Sequence, residues 1–366
     1  NGCEYAVVES SSHGLSEKTN RLGDVPFDAV AMMNVTHEHL EFHGTHQQYK
    51  FDKANLFRAL DKKNHFKTIL GHQRKIPAFG VVNMEDPSAT YFIEATEKPV
   101  FGFTTNGEAG ASTQGIQDIE ENQQGKETKK PQSIYVADHI QSDKEGSSFI
   151  IHEPDSVAPS INTRMSLPGT FNVYNTLASL ILVSKVLGVD IAEIKHHAAK
   201  LLPVKGRMTV IEQGQPFEVL VDYAHTPSSF RTIFPPLRKR AKGKIFCLFG
   251  SGGERDTRKR PEQGKIASDY CDVVILTDED PRGEDPVALL TMIADGCTNK
   301  TLGKDLFIIP NRQQAIRKAF TMAKTNDIIL LLGKAHENSI IYKDFVMPYD
   351  EISEAIKALN EAGYTK

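Results

Sequence analysis

Residues 27–57, FDAVAMMNVTHEHLEFHGTHQQYKFDKANLF, read as a strand, a histidine-rich loop and a helix in succession. The run 27–34 is the continuous apolar kind that suits a buried parallel strand, and it delivers His37 and His39 to the strand's carboxyl edge. The helix has a readable start, because Thr45 followed by Gln48 fits a capping box. On a 3.6-residue period Lys53 shares the face of Tyr49, Leu56, Phe57 and Leu60, the stripe expected to pack inward, while Lys50 and Asp52 point elsewhere. An inward lysine has two readings. Its stem can lie over the stripe with the head in water. Alternatively, desolvation favours a neutral amine that takes up carbon dioxide and becomes an anionic carbamate ligand. His37, His39, His43 and His46 could suggest zinc, yet no Cys lies near and no H-E-x-x-H occurs.

Working outward, residues 5–8 form a short apolar strand pattern that closes on Glu9 and breaks into Ser10-Ser11-Ser12-His13-Gly14. A carboxylate at the carboxyl end of a parallel strand is where nucleotide-binding sheets place a magnesium ligand. A third strand pattern, 78–83, ends in Asn83-Met84-Glu85-Asp86-Pro87. The connections are long enough for helices, so the economical architecture is a doubly wound sheet. Residues 104–133 are polar and read as a hairpin or mobile insertion without chemistry, with strands expected near 91–95 and 147–152. A helix is expected over 172–187, with Leu177, Leu180, Ile181, Ser184 and Leu187 in register. Asn172 and Asn175 fall in its first turn, as a cap or as a contact to phosphate or base.

From Met208 the pattern alternates strand and helix, with strands at 217–221, 244–249, 273–276, 306–309 and 328–332. This is a second, Rossmann-like α/β domain. Four of the strands end in polar signatures: Asp222 to Pro227, Gly250 to Arg255, Thr277 to Arg282, and Gly333 to Glu337. Four such ends on one sheet edge make a site. The Gly250 loop lacks G-x-G-x-x-G, so a nicotinamide or flavin is not supported, and the loop also reads as a tight turn.

A chain of 366 residues accommodates two domains, placed at 1–206 and 207–366. The formal charge of −4 with mixed signs argues against nucleic acid and for a soluble enzyme. The basic run 238–244 reads as a solvated helix end. Four cysteines, Cys3, Cys247, Cys271 and Cys297, lack metal spacing, and Cys247 and Cys271 fall in apolar runs as reduced buried thiols. No apolar run reaches the length of a membrane span and no signal peptide is recognisable, so the expected location is the cytoplasm. The sequence opens on Asn1, directly before a strand pattern, as if cut at the front.

Taken in order, Glu9-Ser10-Ser11-Ser12-His13-Gly14-Leu15, the block 34–57, Phe171-Asn172 with Asn175, Gly206-Arg207-Met208, Asp222 to Pro227, the glycine loop ending Arg260-Pro261, Asp280-Pro281-Arg282 and Gly333 to Glu337 resemble the motif series of the Mur ligases. The match covers nearly the whole chain apart from the polar insertion. It is closest to the branch that adds the third residue of the peptidoglycan stem peptide. Several motifs in order are far more specific than any one of them.

The resemblance implies a central doubly wound ATP-binding domain followed by the C-terminal α/β domain. It also implies a reaction in which ATP phosphorylates a carboxylate of a UDP-N-acetylmuramoyl dipeptide. The amine of a diamino acid then attacks the acyl phosphate. By this likeness Lys53, carbamylated, would act with Glu9 and His39 in catalysis and hold magnesium (Mg2+). Ser11 and Arg21 would touch the UDP substrate, although the spacing between them is two residues longer than usual. Asn172, Asn175, Arg207, Asp222 and His225 would bind ATP. Arg255, Asp280, Arg282, Gly333 and Glu337 would meet the amino acid.

Relatives that add meso-diaminopimelate carry Asp-Asn-Pro-Arg where this chain has Glu279-Asp280-Pro281-Arg282. Arg282 argues for a diacid, since a guanidinium pairs with a carboxylate in bidentate fashion, whereas the charge of Asp280 suits the bare amine of lysine. The reading leans to diaminopimelate. The family's phosphate loop and N-terminal UDP-binding domain have no counterpart in residues 1–366. The expectation is therefore the greater part of a ligase, monomeric and turning over little by itself. A nucleotide- or substrate-binding relic and a metal hydrolase built on the histidines are the other readings. Folate and cyanophycin ligases share parts of the pattern.

Overall fold

A computed structural model of the chain divides it into two units, Asn1–Leu202 and Pro203–Lys366. The structure describes residues 3–35, 40–62, 65–69, 71–106, 129–143, 145–154 and 160–366, with only the backbone of Leu40, Glu41 and Ile69. The polar insertion expected over 104–133 falls mostly outside the described residues.

In the front unit β1 (Ala29–Met32) is an edge strand. A hairpin, β2 (Phe66–Ile69) and β3 (His72–Lys75), stands apart from the main sheet. β4 (Phe79–Asn83), β5 (Val100–Thr104) and β6 (Ser133–Asp143) follow β1 in parallel. β7 (Gly146–His152) and β8 (Ile161–Met165) extend the sheet antiparallel. The parallel strands are apolar at consecutive positions because both faces are covered. On one face the helix Thr170–Leu187 packs Val173, Leu177 and Ile181 over Val81, Phe103 and Phe149. On the other, the helix His46–Lys62 brings Ala54, Phe57 and Leu60 against Val30, Met32 and Val82. This is the doubly wound arrangement expected. By length and composition the helix Thr170–Leu187 could cross a membrane, which the sequence reading did not anticipate. Its buried stripe is that of a core helix, and Leu187, placed in register from the sequence, is half exposed.

The structure corrects three local expectations. Residues 5–8 form no strand and are exposed, because an apolar run becomes a strand only where a neighbour supplies its ladder. Residues 91–95 lie in and after a short helix, Ala89–Ile93. Tyr91 to Ile93 look β-prone, but Ala89, Phe92 and Ile93 are the buried positions, and their spacing is helical. Asp52, expected to point away from the core, is buried within it.

The second unit is a six-stranded sheet in the order β13 (Leu306–Ile308), β12 (Val273–Leu276), β11 (Ile245–Phe249), β14 (Ile328–Leu332), β10 (Glu218–Asp222) and β9 (Thr209–Ile211). β9 runs antiparallel to β10. β11, β12, β13 and β14 are parallel to β10. Helices close both faces over separate apolar cores, with Phe230, Phe234 and Ile293 on one and Ile316, Phe320 and Leu359 on the other. A small hairpin, β15 (Ser339–Ile341) and β16 (Val346–Pro348), follows the β14 loop.

Candidate active site

The carboxyl ends of β1, β4 and β5 are wired together by polar side chains. Asn83 Nδ2 donates to the Met33 carbonyl at 3.0 Å, and Asp86 Oδ2 accepts from the Val35 amide at 2.7 Å. Glu85 accepts from Tyr174 Oη at 2.6 Å, from the Thr105 amide at 2.6 Å and from Thr104 Oγ1 at 2.9 Å. Burial alone would raise the Glu85 carboxyl, but these hydrogen bonds outweigh it and hold it below the usual range. Burial and the Glu85 anion push the Tyr174 hydroxyl up to about 12. Tyr174 is the fifth residue of the helix Thr170–Leu187, whose N-cap is Gly169 at φ +96°. Asn172 is therefore not the cap. Its Nδ2 donates to the Pro168 carbonyl at 2.7 Å, and Asn175 is exposed beside it.

The turn that carries Glu9 and Ser11 is fastened to the helix that carries Lys53. Ser11 caps the single turn Ser12–Leu15, its Oγ accepting from the Gly14 amide at 3.1 Å. Behind it His43 Nε2 lies 3.0 Å from Ser12 Oγ and His43 Nδ1 2.7 Å from Asp52 Oδ2. The carboxylate accepts, so Nδ1 carries the proton and Nε2 accepts from the serine hydroxyl. All three side chains are buried, which makes this Ser-His-Asp chain a fastening rather than a nucleophile facing substrate. Asn55 Nδ2 adds a bond of 3.0 Å to the Leu15 carbonyl. Only half of the expected capping box forms: Thr45 Oγ1 accepts from the Gln48 amide at 3.1 Å, while the Gln48 side chain donates to Asp52 Oδ1 at 3.0 Å.

Lys53 is half-buried, with Nζ 5.4 Å from the Tyr49 ring centroid. Glu9 and Arg21 are exposed. His37 and His39 lie outside the described residues. The donor set of Glu9, His39 and a carbamylated Lys53 would offer mainly anionic oxygen, which suits a hard cation such as magnesium. Among the described residues no three His, Cys, Asp or Glu side chains are grouped to hold a metal, and His43 has both ring nitrogens engaged.

In the second unit the loops after β10, β11, β12 and β14 meet at one edge. Asp222 ends β10, with Oδ1 accepting from the Ala224 amide and Oδ2 from the Met208 amide, both at 2.8 Å. Burial raises its carboxyl against the pull of those bonds and of Arg207 and His225. His225 Nδ1 donates to the Tyr223 carbonyl at 2.8 Å, which leaves Nε2 as the acceptor, and the Arg207 guanidinium lies 4.9 Å from the Tyr223 ring centroid. These three expected ATP contacts therefore cluster.

Of the residues expected to meet the amino acid, Asp280, Arg282 and Glu337 are connected through Lys334 and Ile341. Gly253 approaches Pro281 so closely that a Cβ would stand 1.9 Å from its carbonyl oxygen, and Gly333, at φ +96°, leaves room for the Glu279 carboxylate. Asp280 Oδ1 accepts from Lys334 Nζ at 2.8 Å and from the Ile341 amide at 2.9 Å. Arg282 returns a bond from its amide to the Ile341 carbonyl at 2.9 Å, and among the described residues its Nε is buried without a partner, as is Glu279 Oε2. Glu337 pairs with Lys334 at 2.5 Å and accepts from Tyr223 Oη at 3.4 Å. Arg255 is exposed on the glycine loop.

Three charged residues that support this edge had no assigned role in the sequence reading. Lys334 lay in a quoted motif, and its pairing needs a partner 54 positions away. Arg260, also in a motif, is fully buried, forms a bidentate pair with Glu284 and donates to the Gly252 carbonyl. Arg312 lay in no motif at all; it pairs with Glu351 and reaches the carbonyls of Asp278 and Leu332.

Two α/β units with polar strand-end loops define a nucleotide-binding enzyme architecture. The Mur ligase middle domain model matches residues 1–183, and the Mur ligase glutamate ligase domain model matches 206–335. The chain belongs to the Mur ligase family. It is 53% identical to a UDP-N-acetylmuramyl-tripeptide synthetase of Treponema denticola over 100% of this chain and 64% of the relative. It is 32% identical to a UDP-N-acetylmuramoyl-L-alanyl-D-glutamate–2,6-diaminopimelate ligase of Syntrophomonas wolfei over 97% of this chain and 64% of the relative. A solved structure of a ligase of the latter kind superposes with a TM-score of 0.53 at 26% identity, covering 97% of this chain and 64% of that one. The chain thus spans about two thirds of the length of the relatives it matches, 64% in each of these comparisons.

Proposed function

We propose that this chain forms the ATP-binding and amino-acid-binding parts, 1–206 and 207–366, of a ligase that adds meso-diaminopimelate to UDP-N-acetylmuramoyl-L-alanyl-D-glutamate. The observation that carries the reading is the 53% identity, over the full chain, to a tripeptide synthetase. The γ-phosphoryl group of ATP passes to the substrate carboxylate, giving ADP and an acyl phosphate. The amine of the incoming amino acid adds to the acyl carbon, and the tetrahedral adduct expels phosphate and loses a proton to leave the amide.

In this reading Ser11 and Arg21 hold the UDP substrate, and Asn172, Asn175, Arg207, Asp222 and His225 hold ATP. Arg255, Asp280, Arg282, Gly333 and Glu337 receive the amino acid. Glu9, His39 and carbamylated Lys53 would hold magnesium, which when bound offsets the phosphate charge. The unpartnered Arg282 Nε supports a distal carboxylate on the amino acid. The enzyme works as a cytoplasmic monomer, and the free cysteines, three of them buried, suit a reducing compartment.

L-lysine is the second reading, favoured by the carboxylate of Asp280. The test is phosphate release by the natural protein carrying this chain. The expected result is release that needs ATP, the UDP dipeptide and meso-diaminopimelate together, with L-lysine a poorer substrate. Release without the amino acid, or amide formation without ATP, would overturn the proposal.

A further inference from the structure

We infer that Lys334 sets the side-chain selectivity of the amino-acid pocket by holding two carboxylates at once; the inference rests on the proposed ligase reading. Lys334 is 1% exposed, and its ammonium lies 2.8 Å from Asp280 Oδ1 and 2.5 Å from Glu337 Oε2. A buried cation so placed has its charge consumed locally, and removing it leaves two anions facing one another in a poorly solvated site. The same Asp280 oxygen accepts from the Ile341 amide, while the Arg282 amide donates to the Ile341 carbonyl. Lys334, Asp280, Ile341 and Arg282 are thus one connected set, and Glu337 joins it through Lys334.

The charges of the set decide what it can accept. Within it Asp280 and Glu337 supply two negative charges, and Lys334 and Arg282 two positive ones. A balanced pocket tolerates an amino acid whose distal end carries both an ammonium and a carboxylate. With Lys334 gone, the surplus of negative charge repels the distal carboxylate and favours a bare ammonium. Lys334 is a positioning residue here, since it acts through Asp280 and Glu337.

The experiment measures kcat/KM for meso-diaminopimelate and for L-lysine on the natural protein carrying this chain, in Lys334→Met, Asp280→Asn and the double variant. Lys334→Met is expected to shift the ratio toward lysine by about tenfold or more, the scale of one partly buried charge interaction. Asp280→Asn, which keeps an oxygen for Lys334 and Ile341, is expected to shift it toward diaminopimelate, and the double variant to return near the parental ratio. An unchanged ratio in folded Lys334→Met, or a shift toward lysine in Asp280→Asn, overturns the inference. If Lys334→Met does not fold, Lys334→Gln, which also removes the cation, is read in its place with the same expected shift toward lysine, and an unchanged ratio there overturns the inference. A parental protein that ligates one amino acid while the variants fail this pattern refutes the inference alone. One that ligates neither refutes the ligase reading and the inference with it.

Discussion

Arg312 and Glu351 form a bidentate ion pair, 2.8 and 2.7 Å, in which neither side chain has any solvent exposure. The pair also ties two strand-end loops together, because Arg312 donates to the carbonyls of Asp278 and Leu332. Breaking it by Glu351→Ala leaves an uncompensated buried guanidinium, expected to cost about 3–5 kcal/mol. Denaturant unfolding of the variant checks this, and a loss below about 1 kcal/mol, the scale of an exposed pair, would contradict it.

Asp278, buried beside that pair, has its carboxyl raised from 3.8 to about 6, mainly by burial, with Tyr342 and Arg312 pulling the other way. A folded-state pKa above the unfolded one means that the native state binds the extra proton between these values, so stability falls as pH rises from about 4 to about 6. The penalty above pH 6 reaches about 3 kcal/mol at most. Asp278→Asn should remove it, stabilising the protein at pH 7 and flattening the profile between pH 4 and 6. A variant less stable than the parent at pH 7 would show that the ionised group is well accommodated.

Two alanine substitutions, one on the glycine loop and one at the C-cap of the helix Thr170–Leu187, offer a contrast. Gly253→Ala would set a Cβ 1.9 Å from the Pro281 carbonyl oxygen, whereas Gly188→Ala meets nothing within 4 Å and carries only the left-handed φ of +67°. The first should cost about 3 kcal/mol through backbone displacement, the second about 1–2 kcal/mol. Thermal unfolding ranks them, and a reversed order would mean that the two loops lie farther apart than described.

How much of this was legible in the sequence follows from the range of each interaction. β12 and β14 were readable because Val273–Leu276 and Ile328–Leu332 are buried at every position, and an unbroken apolar run carries that information locally. The polar strand ends were visible for the same reason. Residues 5–8 and 91–95 misled because strand propensity says nothing about whether a neighbour exists or which face must be buried. Asp52 was misplaced because its partner His43 precedes the helix, and a helical wheel cannot show a bond to a residue outside it. Lys334 and Arg312 gained their roles only when Asp280 and Glu351, 54 and 39 positions away, were folded against them.

Asp52 makes a further case. With His43 Nδ1 hydrogen-bonded to its carboxylate and Nε2 to Ser12, Asp52→Ala should leave the buried imidazole short of an acceptor and cost about 1–3 kcal/mol. Nitrogen-15 NMR of labelled histidine should report the Nδ1–H form in the parent and lose it in the variant. A parental Nε2–H form would contradict the assignment.

Amide formation through an acyl phosphate leaves an isotopic signature in the released phosphate. The natural protein carrying this chain would be given ATP, the diamino acid and a UDP-N-acetylmuramoyl dipeptide whose glutamyl carboxylate is labelled with oxygen-18. The released phosphate is expected to carry one labelled oxygen from that carboxylate. Unlabelled phosphate released as the amide forms would contradict it.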